Sequence, residues 1–373
     1  MRERCRTQFP DIPPANLKYG LASFAMPEWG SPIRGKVRES WVREHDGRSV
    51  RVMVTTDRKS AFDRIVATAP DVGRVLNLLS AFWFEKTRHI IPNHMIDIPH
   101  PNVLIAEQVD ITLPVELVLR RYMAKSSTST SVYQNYMEGK RNIYGVDFPD
   151  DLRANEAFPE ALGKGGVIVT PTTKAGEGEH DQELNDEQAR SIVDARCGAG
   201  TWDKAKRGCL EVFLHAADWL EKQGVILADT KIEMGIKDGR LMIIDELFTP
   251  DSSRFWLKST YEQRLRAGQN PETFDKELLR GVLVQKGFTG EGSVPVIEQE
   301  AIERLSVVYR EIFRRITSNE RTKGRSLSPS TAPAIRASLV KYFGLAAKPL
   351  EEIPMCKRIP HRVWNSFAPK VSC

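Results

Sequence analysis

Two β-rich runs flank Asp46-Gly47 in GKVRESWVREHDGRSVRVMVTTD, residues 35–57. An Asp-Gly pair between such runs predicts an antiparallel hairpin, because both turn positions accept positive φ. The pattern then changes. LNLLSAFWFEKTRH, residues 76–89, is apolar and free of Gly and Pro, which predicts a short helix. LPVELVLRRYM, residues 113–123, returns to a strand in which Glu116, Val118 and Arg120 share one face. Residues 125–165 are rich in Ser, Thr, Gly, Pro and charge and read as long loops.

Helical spacing dominates further on. Asn185 with Gln188 forms a capping box that starts one helix. Thr201 is expected to cap a second, over 202–223, which Gly224 closes. Its stripe of Ala205, Cys209, Val212, Phe213, Ala216, Trp219 and Leu220 has helical period and should face a core. His215 borders that stripe and reads as a packed or surface residue rather than a ligand. Thr273 begins another helical pattern, residues 297–317 form a long amphipathic helix, and SLSPSTAP at 326–333 marks a linker. Strands first, then mixed elements, then helices predict an α+β fold.

One hairpin departs from ordinary patterning. Residues 227–256, LADTKIEMGIKDGRLMIIDELFTPDSSRFW, hold two apolar runs crowded with charge. Asp229, Lys231 and Glu233 alternate onto one face of the first strand, opposite Ala228, Thr230, Ile232 and Met234. A two-residue Asp238-Gly239 turn pairs Ile232 with Asp245 and sends Asp245 to the face opposite Glu233. A three-residue Lys237-Asp238-Gly239 loop with a glycine bulge pairs Lys231 with Asp245, and the charges converge. Both loops are chemically allowed. The three-residue version is taken here, because it sets the carboxylates Glu233 and Asp245 beside a lysine, as Mg²⁺ with a nucleotide requires. Glu246 would then face away.

Composition narrows the class. The 373 residues are 41% hydrophobic and 28% charged, as in a soluble protein of two or three domains. No apolar run approaches the roughly 20 residues that span a bilayer. MRERCRTQFP lacks the apolar segment of a secretory leader. The five cysteines are scattered without metal-ligand spacing, so free thiols in the cytosol are expected. Residues 319–373 carry five Lys and five Arg against three Glu, a net +7 within an overall +5. That charge is spread over the segment and matches no nucleic-acid motif, so packing against the body is the expectation.

Several chemistries are absent. Gly35-Lys36, Gly139-Lys140 and Gly163-Lys164 lack the rest of a Walker A motif, and neither GxSxG nor HExxH occurs. What remains is IRGKVRES, where Arg34, Lys36 and Arg38 are expected on one face beside Gly35, whose missing side chain lets phosphate approach. TTDRKSAFD (55–63), PTTKAGEGEHD (171–181) and TPDSSRFW (249–256) group donors with acceptors as small-anion recognition does. His180-Asp181 is a candidate acid–base pair.

GKVRES, TTDRKSAFD, LLSAFWF, PNHMI, ELVLRRY, TPTTKAGEGEHD, LADTKIEMG, DELFTPDSSRFW and TFDKELLR stand in the order found in the SAICAR synthetase family. The chain resembles that family over residues 30 to 318. The resemblance implies an ATP-dependent ligase that joins L-aspartate to the carboxylate of carboxyaminoimidazole ribonucleotide in purine biosynthesis. It implies ATP and Mg²⁺ as cofactors and only small-molecule partners. By motif, Gly35, Lys36 and Arg38 resemble the phosphate-binding turn, and Glu233 and Asp245 the metal ligands. Arg120, Ser126, Lys231 and Arg254 match positions that hold the ribonucleotide. Asp251 is expected to orient Arg254 or touch the ribose, with Ser253 beside it. Arg58, Ser60, Asp63, Lys174, His180 and Asp181 sit in motifs lining the reaction side, with Lys174 toward aspartate. Expected domains are an antiparallel β domain (1–115), an ATP-grasp-like α+β domain (116–270) and a helical part with the basic tail (271–373).

Two departures stand out. Ala124-Lys125-Ser126 places lysine where the family has glycine, and SSTSTSVYQNY lacks the tryptophan common after that serine. Competing readings are a related ligase with another acceptor and a non-catalytic nucleotide- or nucleic-acid-binding protein.

Overall fold

Residues 9–126, 131–174, 181–317 and 330–345 are described by the computed structural model. Chain order begins with strands β1 (Ile33–Arg34), β2 (Arg38–His45), β3 (Arg48–Thr55), β4 (Arg58–Ala61) and β5 (Arg64–Thr68), followed by helix α1 (Val72–Thr87) and strands β6 (Met95–His100) and β7 (Val103–Glu107). Strands β1, β2, β3, β7 and β6, in that spatial order, form an antiparallel sheet. The Asp46-Gly47 hairpin is present, with φ of 49° and 71° at its two turn residues. Alternation along β3 splits the core. Val50, Val52 and Val54 face one apolar cluster, whereas Met53 joins the cluster that contains α1.

The chain continues with β8 (Ile111–Thr112), β9 (Val115–Arg120), α2 (Val132–Met137), β10 (Asn142–Ile143), β11 (Val146–Asp147) and β12 (Ile168–Thr173). Helices α3 (Asp186–Cys197) and α4 (Thr201–Lys222) and strands β13 (Val225–Lys237), β14 (Arg240–Ile244) and β15 (Ser253–Leu257) complete the centre. A second sheet runs β12-β9-β13-β14, with β8 and β15 also paired to β13. The predicted stripe on α4 packs against one face of it, where Leu117, Leu119, Ile232 and Met234 are buried. The other face carries Glu116, Arg120, Asp229, Lys231 and Glu233, because side chains alternate and Asp229 stands opposite Arg120. One sheet thus has an oily side and an ionic side.

Helices α5 (Lys258–Arg266), α6 (Glu277–Gln285), α7 (Gln299–Thr317) and α8 (Ala332–Tyr342) follow. Ala332, Ile335 and Leu339 of α8 bury against Phe24, Trp41 and Val52 of the N-terminal sheet. The described part of the basic segment therefore packs back on the body, as expected.

Residues 125–165, expected to be loops, hold α2 and the β10–β11 pair, and local details differ from expectation at three further places. The Asn185–Gln188 capping box is present, but α4 is capped by Asp194 of the preceding helix, which accepts from Gly200 N at 2.8 Å and Trp202 N at 2.9 Å. A carboxylate can serve two amides where Thr201, already inside the helix, serves none. Helix α6 begins at Glu277, not Thr273; Asp275 accepts from Glu277 N at 2.9 Å and from Phe255 N at 3.0 Å. Finally, the charged hairpin closes with the two-residue turn. Lys237 pairs with Arg240 and Glu233 with Ile244, and Asp238 and Gly239 have φ of 49° and 73°. That mirror-image turn matches the right-handed strand twist and needs no bulge.

Candidate active site

The ionic face of the second sheet carries the central charges of the candidate site. Lys231 sits between two carboxylates, 2.8 Å from Glu116 Oε1 and 2.8 Å from Glu233 Oε1, and Lys174 binds the other oxygen of Glu233. Burial alone would raise the Glu233 carboxyl, but the Lys231 and Lys174 ammonium groups overcome it and hold it at about 2. Burial raises the Glu116 carboxyl despite its contact with Lys231. Burial lowers Lys231, yet Glu233 and Glu116 outweigh it and raise its pKa. At the far end, Arg120 and Arg254 converge on Asp229, at 3.2 and 3.3 Å. Arg254 also donates to Ala124 O at 3.3 Å, in the loop that leads to buried Ser126.

Further charges come from the N-terminal sheet. Here the prediction of one shared basic face is corrected. IRGKVRES is a turn between β1 and β2, closed by Gly35 N donating to Arg38 O at 2.8 Å. The three cations diverge from it: Arg34 toward Glu39, Lys36 to Asp63 at 2.5 Å, and Arg38 to both Asp245 (2.7 Å) and Glu246 (2.8 Å). Asp63 is presented by the Phe62-Asp63 turn, with φ of 52° and 60°. Burial by itself raises its carboxyl, and Lys36 brings it below the ordinary value.

Asp245 reaches this region by a route that the alternation of strand residues does not give. The two-residue turn should send it to the side of Ile232, but β14 ends at Ile244 and Asp245 adopts φ of 63°. Leaving the strand conformation re-aims its side chain toward Arg38. Glu246, expected to face away, shares the same guanidinium and accepts from Thr249 Oγ1 at 3.0 Å. Burial raises the Glu246 carboxyl in spite of Arg38. His94 lies beneath; burial, then Arg38, lowers it to about 3, so it is neutral.

Three further expected substrate-binding residues are engaged within the protein. Arg58 is fully buried and donates all five N–H groups: to the carbonyls of Gly35 (2.9 Å), Lys36 (2.9 Å), Arg38 (3.2 Å) and Ala22 (2.9 Å), and to Glu39 (2.6 Å). It has no donor left for substrate. Asp251 does not orient Arg254; it accepts from Lys59 and, at 2.7 Å, from the Tyr309 hydroxyl. Burial by itself raises the Asp251 carboxyl, and Lys59 outweighs that and lowers it. Ser253 is buried and spends its hydroxyl on Thr230 at 2.8 Å. TTDRKSAFD is therefore largely a structural node, since its Asp57 also accepts from Leu21 N and Gly73 N at 2.7 and 2.9 Å. Ser60 is half-buried on β4, and Asp181 is exposed. His180 lies outside the described residues. Lys125 is exposed and is not among the residues of positive φ, so it carries no left-handed backbone strain.

Glu39, Lys59 and Tyr309 were missed by sequence reasoning. Glu39 lay inside a quoted motif, but Tyr309 stands 250 positions from Lys59 and its spacing marks only a helix face. Among the described residues, no group of three or more His, Cys, Asp or Glu is placed to hold a metal by protein ligands alone.

An α+β body whose sheet exposes paired acids and bases beneath a basic turn is built as an enzyme cleft for small anionic substrates. The chain belongs to the SAICAR synthetase family, whose model matches residues 31–297. It is 38% identical over 303 residues to phosphoribosylaminoimidazole-succinocarboxamide synthase of Legionella pneumophila, covering 81% of this chain and 92% of that protein. Against the chloroplastic synthase of Arabidopsis thaliana it is 37% identical over 296 residues, 79% of this chain and 68% of the relative. SAICAR synthase from Saccharomyces cerevisiae, solved in complex with SAICAR, superimposes with a TM-score of 0.66 at 26% identity, covering 81% of this chain and 99% of that one. The α+β class is thereby shared with solved members of the family.

Proposed function

We propose that this chain is an ATP-dependent carboxylate–amine ligase of the cytosol that joins L-aspartate to the carboxylate of carboxyaminoimidazole ribonucleotide. The observation that carries the reading is the arrangement of Lys231 between Glu116 and Glu233, with the Arg120–Asp229–Arg254 group on the same sheet face. Family membership supplies the substrates. The chemistry then follows from charge. A carboxylate resists amines because it would have to expel an oxide dianion. One carboxylate oxygen attacks the γ-phosphorus, ADP leaves, and the mixed anhydride carries phosphate as its leaving group. The aspartate amine adds to that carbon, loses a proton, and phosphate departs with the original carboxylate oxygen.

Each residue group has a part in this reading. Lys36, on its turn with Gly35 and Arg38, meets the ATP phosphates and gives up Asp63 to do so. Arg120, Arg254 and Ser126 hold the ribonucleotide phosphate. Lys231 neutralises the reacting carboxylate, and Lys174 releases Glu233 to bind aspartate. Mg²⁺ fits the donor set: Glu233 is kept ionised, Asp245 supplies a second hard oxygen, and phosphates complete such sites without an all-protein cage. Bound there, the ion would neutralise charge on the transferring phosphoryl group. The divisions at 115 and 270 and an ATP-grasp-like centre belong to the same reading, with ATP between the two sheets.

The test is ADP release with each substrate omitted in turn, together with the product mass. Release that requires both ribonucleotide and L-aspartate, with a product heavier by aspartate less water, supports the assignment. Full turnover with another amine favours the alternative ligase, which exposed Lys125 beside the substrate loop motivates.

A further inference from the structure

We infer that Arg58 is a positioning residue for nucleotide binding: it holds the Gly35–Arg38 turn in the shape that delivers Lys36 to the phosphates before ATP arrives. This deepens the proposed role of Lys36 and rests on it. Gly35 and Lys36 at the tip of the turn are exposed, Val37 and Arg38 are half-buried, and the Val37 carbonyl accepts from Thr56 N at 2.9 Å and Thr56 Oγ1 at 2.8 Å. Arg58 fixes the turn from beneath. Its guanidinium donates to the carbonyls of Gly35, Lys36 and Arg38, so three of the four residues in the turn are tied to one rigid, planar group. A single lysine ammonium, with three donors on a flexible stem, does not reproduce that fork.

The anchor is itself secured. Arg58 pairs with Glu39 at 2.6 Å, both side chains fully buried, and Glu39 Oε1 and Oε2 also accept from Arg34 at 3.2 Å. Arg58 occupies the first position of β4, and the same hairpin bears Asp63, the present partner of Lys36. The guanidinium thus ties the ammonium and its acid partner to one frame. Replacement of Asp63 by phosphate then moves the Lys36 side chain and leaves its backbone in place, so little ordering cost falls on binding.

The test uses Arg58→Lys, Lys36→Met and the double variant in the full chain, with KM for all three substrates and thermal stability. Arg58→Lys keeps a cation beside Glu39 but loses the fork. It is expected to raise KM for ATP about tenfold or more, as misplacement of a binding group does, with the other two KM values nearly unchanged. In the Lys36→Met background the same change should add nothing to KM for ATP. An equal rise in both backgrounds, a parallel rise in all three KM values, or no rise overturns the proposal. Lys36→Met with an unchanged KM for ATP would instead remove the reading of Lys36 on which it rests. An independent measurement needs no variant. The Gly35 amide, bonded to Arg38 O, should be protected from hydrogen exchange in the nucleotide-free enzyme. Protection only after nucleotide is added contradicts a preset turn.

Discussion

Replacing Lys231 by methionine removes the cation shared by Glu116 and Glu233 and keeps the aliphatic stem. Two charge-assisted hydrogen bonds of 2.8 Å are lost. Each is worth roughly 1.5–3 kcal/mol when its partner is left unpaired. The Lys231 side chain is 36% exposed, and Lys174 still holds Glu233, so screening discounts the sum. A net loss of about 2–3 kcal/mol remains, a fall in Tm of roughly 3 °C for a chain of this length unfolding as one unit. The sign of its pH dependence follows from the two carboxyls. Glu233 is depressed to about 2, so its contribution is full above the ordinary carboxyl range and fades as pH falls toward 2. Glu116 is raised, so its ionised form already costs stability at neutral pH, and acid relieves that cost. The variant should therefore lag the wild type most at neutral pH and close the gap on acidification. Urea unfolding followed by tryptophan fluorescence at pH 7.5 and 4.0 measures this. A gap absent at pH 7.5, or wider at pH 4.0, would refute the reasoning.

Other changes probe other parts of the cleft. Glu233→Gln and Asp245→Asn should each lower kcat/KM roughly 100-fold or more, the scale seen when a group that stabilises transferring charge is lost. Glu246→Gln keeps an acceptor for Arg38 and should cost less; a loss equal to that at Asp245 would give Glu246 a direct part. Lys59→Met leaves Asp251 buried without its cation and should destabilise the fold by about 3–5 kcal/mol, measured by urea unfolding. Truncation after Thr317 strips Ile335 and Leu339 from the N-terminal sheet, each worth about 1.5–3 kcal/mol when buried. A truncated chain with unchanged Tm would deny α8 that role.

Legibility from sequence followed the range of the forces involved. The Asp46-Gly47 hairpin, the α4 stripe and the Asn185 capping box were readable because their partners lie within a few residues. The closing turn of the charged hairpin was misjudged because both loop lengths satisfy local rules. What turns Asp245 toward the site, a left-handed conformation beside Arg38, involves a strand some 200 residues earlier; their separation is 207. The Asp57-Arg58-x-Ser60 pattern reads as anion recognition for a related reason. A run of ions looks solvated until its distant partners, among them Glu39, Tyr309 and Asp251, are known, yet Asp57, Arg58 and Lys59 are each at most 1% exposed.

Central to the account is activation of the ribonucleotide carboxylate by phosphoryl transfer within this cleft. The most direct measurement supplies ribonucleotide labelled with ¹⁸O in that carboxylate, L-aspartate and MgATP, and determines the label in inorganic phosphate by mass spectrometry. The account predicts one carboxylate oxygen in each phosphate released. Phosphate free of label, formed alongside the aspartate adduct, would contradict it.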